Sequence, residues 1–158
     1  MAMKNFIFSV VAWGVSALMT TGWACTNIIV GKAASIDGSV MVSYNADSYG
    51  MYGNIYHHRG GVHAAGEMRK IYDWDSNKCL GEIPQAERTY NVVGQMNEHQ
   101  VSITETTYGG REELWKTEGM IDYGSLIYIA LERSTSARNA IDIMTSLVDK
   151  YGYCSEGE

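Results

Sequence analysis

Apolar and polar residues change their rhythm several times along the chain, and each rhythm predicts a different element. Phe6 to Met19 carries no charge. It is shorter than the roughly 20 apolar residues of a membrane span and suits the core of an export signal. Lys4 precedes it, and Gly22-Trp23-Ala24 satisfies the small-residue rule for cleavage after Ala24. We therefore expect a leader over residues 1–24 and a mature portion over residues 25–158. Residues 26–30 form a short apolar run that predicts a strand covered on both faces. Asp37-Gly38 is a turn signal, because glycine accepts positive φ, and Ser39 to Asn45 reads as the returning strand. The resulting hairpin would bring Asn45 and Asp47 back beside Cys25.

Further on, short strands are expected at Asn54–His58 and Met68–Trp74, with a polar turn at Asp73–Asn77. Two more, Thr89–Met96 and Gln100–Thr106, would form an antiparallel hairpin around Asn97-Glu98-His99. The stretch from Thr104 to Gly110 then sets polar side chains and flexible backbone at a strand end, where binding groups are commonly found; Thr107 is the candidate there. After Tyr123 the period becomes helical. Leu126, Ile127, Ala130 and Leu131 share one predicted helix over Tyr123–Glu132, and Ala140, Ile141, Met144, Leu147 and Val148 a second over Ala137–Tyr151. The hydroxyls of Ser134-Thr135-Ser136 lie between them as caps. Strands first and helices after describe an α+β arrangement, with helices covering a mainly antiparallel sheet.

Composition narrows the function. The chain has 158 residues, 46% hydrophobic and 19% charged, which describes a single globular unit rather than a disordered segment. A net charge of −6 without a Lys/Arg run leaves no footprint for nucleic acid, and it disfavours an anionic membrane surface once the leader is removed. His57, His58 and His63 match no metal-ligand spacing and read as surface or loop histidines, so no metal or other cofactor is expected. Of the three cysteines, only Cys79 and Cys154 remain to pair if Cys25 is free, and the sequence leaves that bridge open.

Cys25 is the residue with distinctive chemistry. Cleavage after Ala24 would give it a thiol, of reference pKa about 8.5, and an α-amino group, of about 7.7–8.0. Near neutral pH the amine can take the thiol proton, so one residue would hold nucleophile and base together. The alternatives are a disulfide half in a non-enzymatic secreted domain, or a lipid-anchored cysteine. Bulky Trp23 before the cleavage point argues against lipidation.

The motifs Cys25-Thr26-Asn27-Ile28-Ile29-Val30-Gly31, Asn45-Ala46-Asp47-Ser48 and Asn97-Glu98-His99 resemble the start of a C69-family dipeptidase, within the N-terminal-nucleophile hydrolases. The resemblance covers essentially all of residues 25–158. It implies a four-layer αββα fold, present here only in part because members are much longer. It also implies cleavage of short peptides by Cys25, with Asp47 near the nucleophile's amino group. Asn45, Asn97 and Thr107 become candidate substrate-binding residues. Relatives often show Gly-Arg-Asn-x-Asp where this chain has Ser43-Tyr44-Asn45-Ala46-Asp47, so Tyr44 replaces an arginine. The related penicillin V acylase and bile-salt hydrolase group makes an amidase acting on N-acyl amino acids the competing enzymatic reading.

Overall fold

The computed structural model describes residues 25–46, 53–114 and 118–157. The expected leader and Asp47 lie outside the described residues. β1 (Thr26–Val30) pairs antiparallel with β2 (Met41–Asn45), in a register that sets Thr26 against Asn45 and Val30 against Met41. The expected hairpin is therefore present, although its connection is longer than a tight turn. Within that connection Gly38 adopts φ 74° and the Ser39 amide donates to Asp37 Oδ1 at 3.0 Å. Hydrogen bonds from Ser39 hold the Asp37 carboxyl below the usual carboxylate range.

The expectation that β1 is covered on both faces is not met. Ile28 and Ile29 are neighbours on a strand and so point to opposite faces, yet they are 60% and 71% exposed. Among the described residues no layer packs over this hairpin. Met41 and Val42 of the partner strand, and Val40 just before it, are exposed as well.

β3 (His57–His58) pairs with β8 (Val92–Val93), which also pairs with β9 (Met96–Asn97); β4 (Gly61–Val62) pairs with β7 (Arg88–Thr89). All these pairings are antiparallel. The two long strands expected at 89–96 and 100–106 are thus broken into short pieces, and only the bridge between Met96 and Ser102 survives of their pairing. Three bonds outside the ladder explain the break. The Tyr90 amide donates to Glu132 O at 2.7 Å, and the Asn97 side chain takes the amides of His99 and Val101, both at 3.0 Å. Backbone groups that a continuous hairpin would pair across strands are satisfied elsewhere.

β5 (Met68–Tyr72) pairs with β6 (Cys79–Pro84) through the expected polar turn, where Asn77 takes φ 54° and the Asp73 amide donates to Lys78 O at 2.8 Å. β6 itself was not expected. Gly81 and Pro84 weaken its strand pattern, and the register shifts between Ile71 and Tyr72 opposite Gly81, whose φ of 152° belongs to the range glycine tolerates best.

Both helices form where periodicity places them: α1 at Tyr123–Arg133 and α2 at Ala137–Tyr151. Of the three hydroxyls before α2, Ser136 is the cap, its Oγ accepting from the Asn139 amide at 3.2 Å. α2 ends at Gly152, whose amide returns to Val148 O at 2.9 Å. α1 is the centre of the molecule. Ile127, Tyr128 and Leu131 pack with Val92 and Val101 on one side, while Ile129 packs with Ile71 and Ile83 of the β5–β6 hairpin and with Leu147 of α2 on the other. A short helix buried on opposite sides explains why its sequence is apolar nearly all round. Burial of each such Ile or Leu contributes about 1.5–3 kcal/mol.

Two backbone segments approach closely at Gly60, between β3 and β4. A Cβ there would stand 2.5 Å from the carbonyl oxygen of Thr89 in the backbone of β7. Backbone cannot yield as a flexible side chain can, so Gly60→Ala is expected to lower stability by about 1–3 kcal/mol. A urea unfolding midpoint equal to that of the unsubstituted protein would contradict this close approach.

Candidate functional site

Cys25 stands at the head of β1, directly before the first paired residue of the hairpin. Its carbonyl oxygen accepts a hydrogen bond from Thr106 Oγ1 at 2.9 Å. Two residues on, Asn27 Nδ2 donates to Glu105 O at 2.6 Å. The segment Glu105–Thr107 is therefore strapped across the start of β1 by side chains of both partners, although the two segments are distant in sequence.

Because β2 returns antiparallel, Tyr44 reaches the same end of the hairpin. Its phenol approaches Cys25 Sγ at 4.0 Å and donates to Glu105 Oε1. Burial first, and then the hydrogen bond to Glu105, raise the Tyr44 pKa well above that of an ordinary phenol. Tyr44 thus remains a neutral donor across the physiological range and is unsuited to act as a base. Thr107 Oγ1 lies 3.5 Å from the other carboxylate oxygen, Glu105 Oε2.

These groups open into a cleft of about 880 Å³, the size range of sites for small ligands. Cys25, Tyr44, Asn45, Glu105 and Thr107 line one end. Aromatic walls come from Tyr56, Trp74 and Tyr128, with Trp74 and Tyr128 stacked at 5.2 Å between ring centroids. Behind the Glu105 segment lies a smaller apolar hollow of about 310 Å³, bounded by α1 and α2.

The structure brings together Cys25, Asn45 and Thr107 of the residues anticipated from sequence. It places Asn97 elsewhere. Asn97 is 4% exposed and is not among the residues lining the cleft. Its Nδ2 donates to Leu131 O at 2.7 Å and Ser134 O at 2.8 Å, while Oδ1 accepts from His99 and Val101. Its hydrogen-bonding capacity ties the backbone at the end of α1 to that of its own turn, which makes it a clamp of the frame rather than a substrate contact.

Sequence reasoning passed over Glu105 and the job of Tyr44. A signal was present: Tyr44 stands where the resemblance leads one to expect an arginine, and a carboxylate sits in the polar stretch that also contributes Thr107. Cys25, Cys79 and Cys154 are all free thiols. His63 is held between Glu67 Oε1, 2.9 Å from Nδ1, and Thr89 Oγ1, 3.0 Å from Nε2. His58 packs against the Tyr128 ring.

Comparison with known proteins points the same way as the motifs. The model of peptidase family C69 matches residues 24–80 and 64–158. A probable dipeptidase of Latilactobacillus sakei is 30% identical over 148 residues, covering 82% of this chain and 30% of that protein. A probable dipeptidase of Salmonella dublin is 26% identical over 168 residues, covering 95% of this chain and 37% of that protein. The chain thus spans about a third of the length of these curated relatives. No solved structure matches it. With the family model running from Ala24 through the cysteine, the hairpin, the cleft and both helices, the chain belongs to peptidase family C69.

Proposed function

We propose that this chain is the N-terminal portion of an exported cysteine-type dipeptidase, whose nucleophile is Cys25 once residues 1–24 are removed. The observation that carries the reading is the position of the Cys25 thiol, at the head of β1 in a cleft that it shares with Asn45 and Thr107. Membership of a peptidase family supports the reaction class. The dipeptidase names of two relatives support the substrate class.

In this reading the freed α-amino group accepts the thiol proton, and Sγ attacks the carbonyl carbon of the peptide bond. The S–C bond forms, the C–N bond breaks, and the amine returns its proton to the leaving nitrogen. Water then hydrolyses the thioester and frees the thiol. Asp47, two residues beyond Asn45, stabilises the ammonium form of the N-terminus during the cycle. Asn45 and Thr107 orient the substrate carbonyl.

The same proposal extends to the fold. The exposed apolar residues on both faces of β1 support a four-layer αββα domain, in which chain beyond these residues covers the hairpin.

Export and intact-mass measurement of the full-length protein test the processing step: the mature species should begin at Cys25. A species that retains Met1, or that carries an acylated cysteine, would remove the base and with it the mechanism. A panel of dipeptides and acyl-glycines tests the substrate class, with dipeptides expected to turn over faster. The opposite preference would assign the site to the amidase class.

A further inference from the structure

The cleft is electrostatically one-sided. Among its described lining residues Glu105 is the only carboxylate, and none is Lys, Arg or His. A peptide with free ends brings an ammonium at one terminus and a carboxylate at the other, and among the described lining side chains only the ammonium finds an opposite charge. We propose that Glu105 is the residue that receives the substrate's free α-ammonium, so that the enzyme cleaves the first peptide bond of an unblocked peptide. This rests on the peptidase reading and adds to it the end from which the substrate is recognised.

Three features of the site carry the inference. The first is reach. Only the Tyr44 hydroxyl separates the Glu105 carboxylate from Cys25 Sγ, bonded to the former and 4.0 Å from the latter. In an aminoacyl group the nitrogen lies about 2.5 Å from the carbonyl carbon. A reacting carbon about 3–3.5 Å from the sulphur can therefore bring its ammonium within hydrogen-bond reach of a carboxylate so placed.

The second feature is capacity. A carboxylate has about four acceptor positions, and the described partners of Glu105 are Tyr44 at Oε1 and Thr107 at Oε2. About two positions remain, enough to take two of the three donors of an ammonium. Tyr44 and the bond from Asn27 to the Glu105 carbonyl hold the group in place beforehand, which reduces the ordering cost of binding.

The third feature is the surroundings. Tyr44, Tyr56 and Trp74 supply aromatic faces, which attract a cation and offer nothing to a second carboxylate. Tyr44 is a neutral donor, so no fixed cation at that position competes for Glu105. An N-acyl substrate, with an amide where the ammonium would be, forfeits the charged contact.

The test uses processed full-length protein with dialanine and N-acetyl-dialanine. The unsubstituted enzyme should favour dialanine. Glu105→Gln should lower kcat/KM for dialanine by about 10- to 100-fold, chiefly through KM, and leave that for the acetylated peptide within twofold. Glu105→Asp, which keeps the charge, should keep the preference for the free amine.

An equal loss on both substrates, or no loss on either, would overturn the proposal. The first would place Glu105 in the service of the nucleophile itself. Should Glu105→Gln fail to fold, the unsubstituted enzyme still decides: N-acetyl-dialanine that competes as well as dialanine refutes it. Binding to mature-length Cys25→Ala separates the two readings. Hydrolysis of neither peptide by the unsubstituted enzyme would sink the peptidase reading, whereas tighter binding of dialanine than of its acetylated form would still uphold Glu105 as the ammonium site.

Discussion

Cys25→Ala in the processed full-length protein should abolish dipeptide hydrolysis, with a loss in kcat on the order of 10⁴- to 10⁶-fold, as when the nucleophile of a covalent hydrolase is removed. Cys25→Ser should retain a small residue of activity, because a hydroxyl can attack but is far less acidic than a thiol. No other described thiol is placed to substitute. Cys79 is exposed at the start of β6, and neither it nor Cys154 lines the cleft. Burial first, and then the Asp122 and Asp73 carboxylates, push the Cys154 thiol up, so it is a poor nucleophile near neutral pH. Steady-state hydrolysis, with intact mass to verify the mature N-terminus, provides the measurement. Wild-type turnover by Cys25→Ala would refute the covalent mechanism outright.

Asn97→Ala should be the most damaging substitution to the frame, costing about 3–5 kcal/mol of stability. The change removes both donors from Leu131 O and Ser134 O and the acceptor from the His99 and Val101 amides, at a site only 4% exposed. A buried backbone group left unsatisfied costs about 1–3 kcal/mol, and partial repair by neighbours or water keeps the total below the simple sum. Asn97→Asp should also destabilise, since it turns a carboxylate toward two carbonyl oxygens. Urea unfolding measures the loss, and kinetics at low temperature separate it from a substrate contact. A clamp lowers the folded fraction and leaves the KM of the folded enzyme unchanged. A raised KM with an unaltered unfolding midpoint would return Asn97 to the substrate site.

Glu105 and Asn97 illustrate opposite limits of reading function from a motif. Asn97 belongs to a family motif, and its position there made it a candidate for binding. Its amide nitrogen is consumed at the end of α1, more than thirty residues away in sequence, and no local pattern announces that. Glu105 sits in a polar stretch whose bland reading is an exposed loop. It becomes part of a site only because Asn27 and Tyr44, from the two strands of the first hairpin, hold it beside Cys25.

Elements that depend on neighbouring residues alone were legible in the chain. Helical periodicity placed α1 and α2 to within a residue, Ser136 could cap α2 because the hydroxyl needs only the amide three positions on, and the turns at Asp37-Gly38 and Asp73–Asn77 followed from residues suited to positive φ or to local side-chain bonds. The same short-range logic made Cys25 a candidate nucleophile beside Asn45. What tertiary structure decided were partners distant along the chain. These are the pairing of β6 despite Gly81 and Pro84, the division of 88–97 into short strands, the clamp at Asn97, and the assembly of Cys25, Tyr44 and Glu105 at one end of a cleft. In each case a buried polar group or a backbone amide required a partner, and the fold supplied it from a segment whose identity no local pattern encodes.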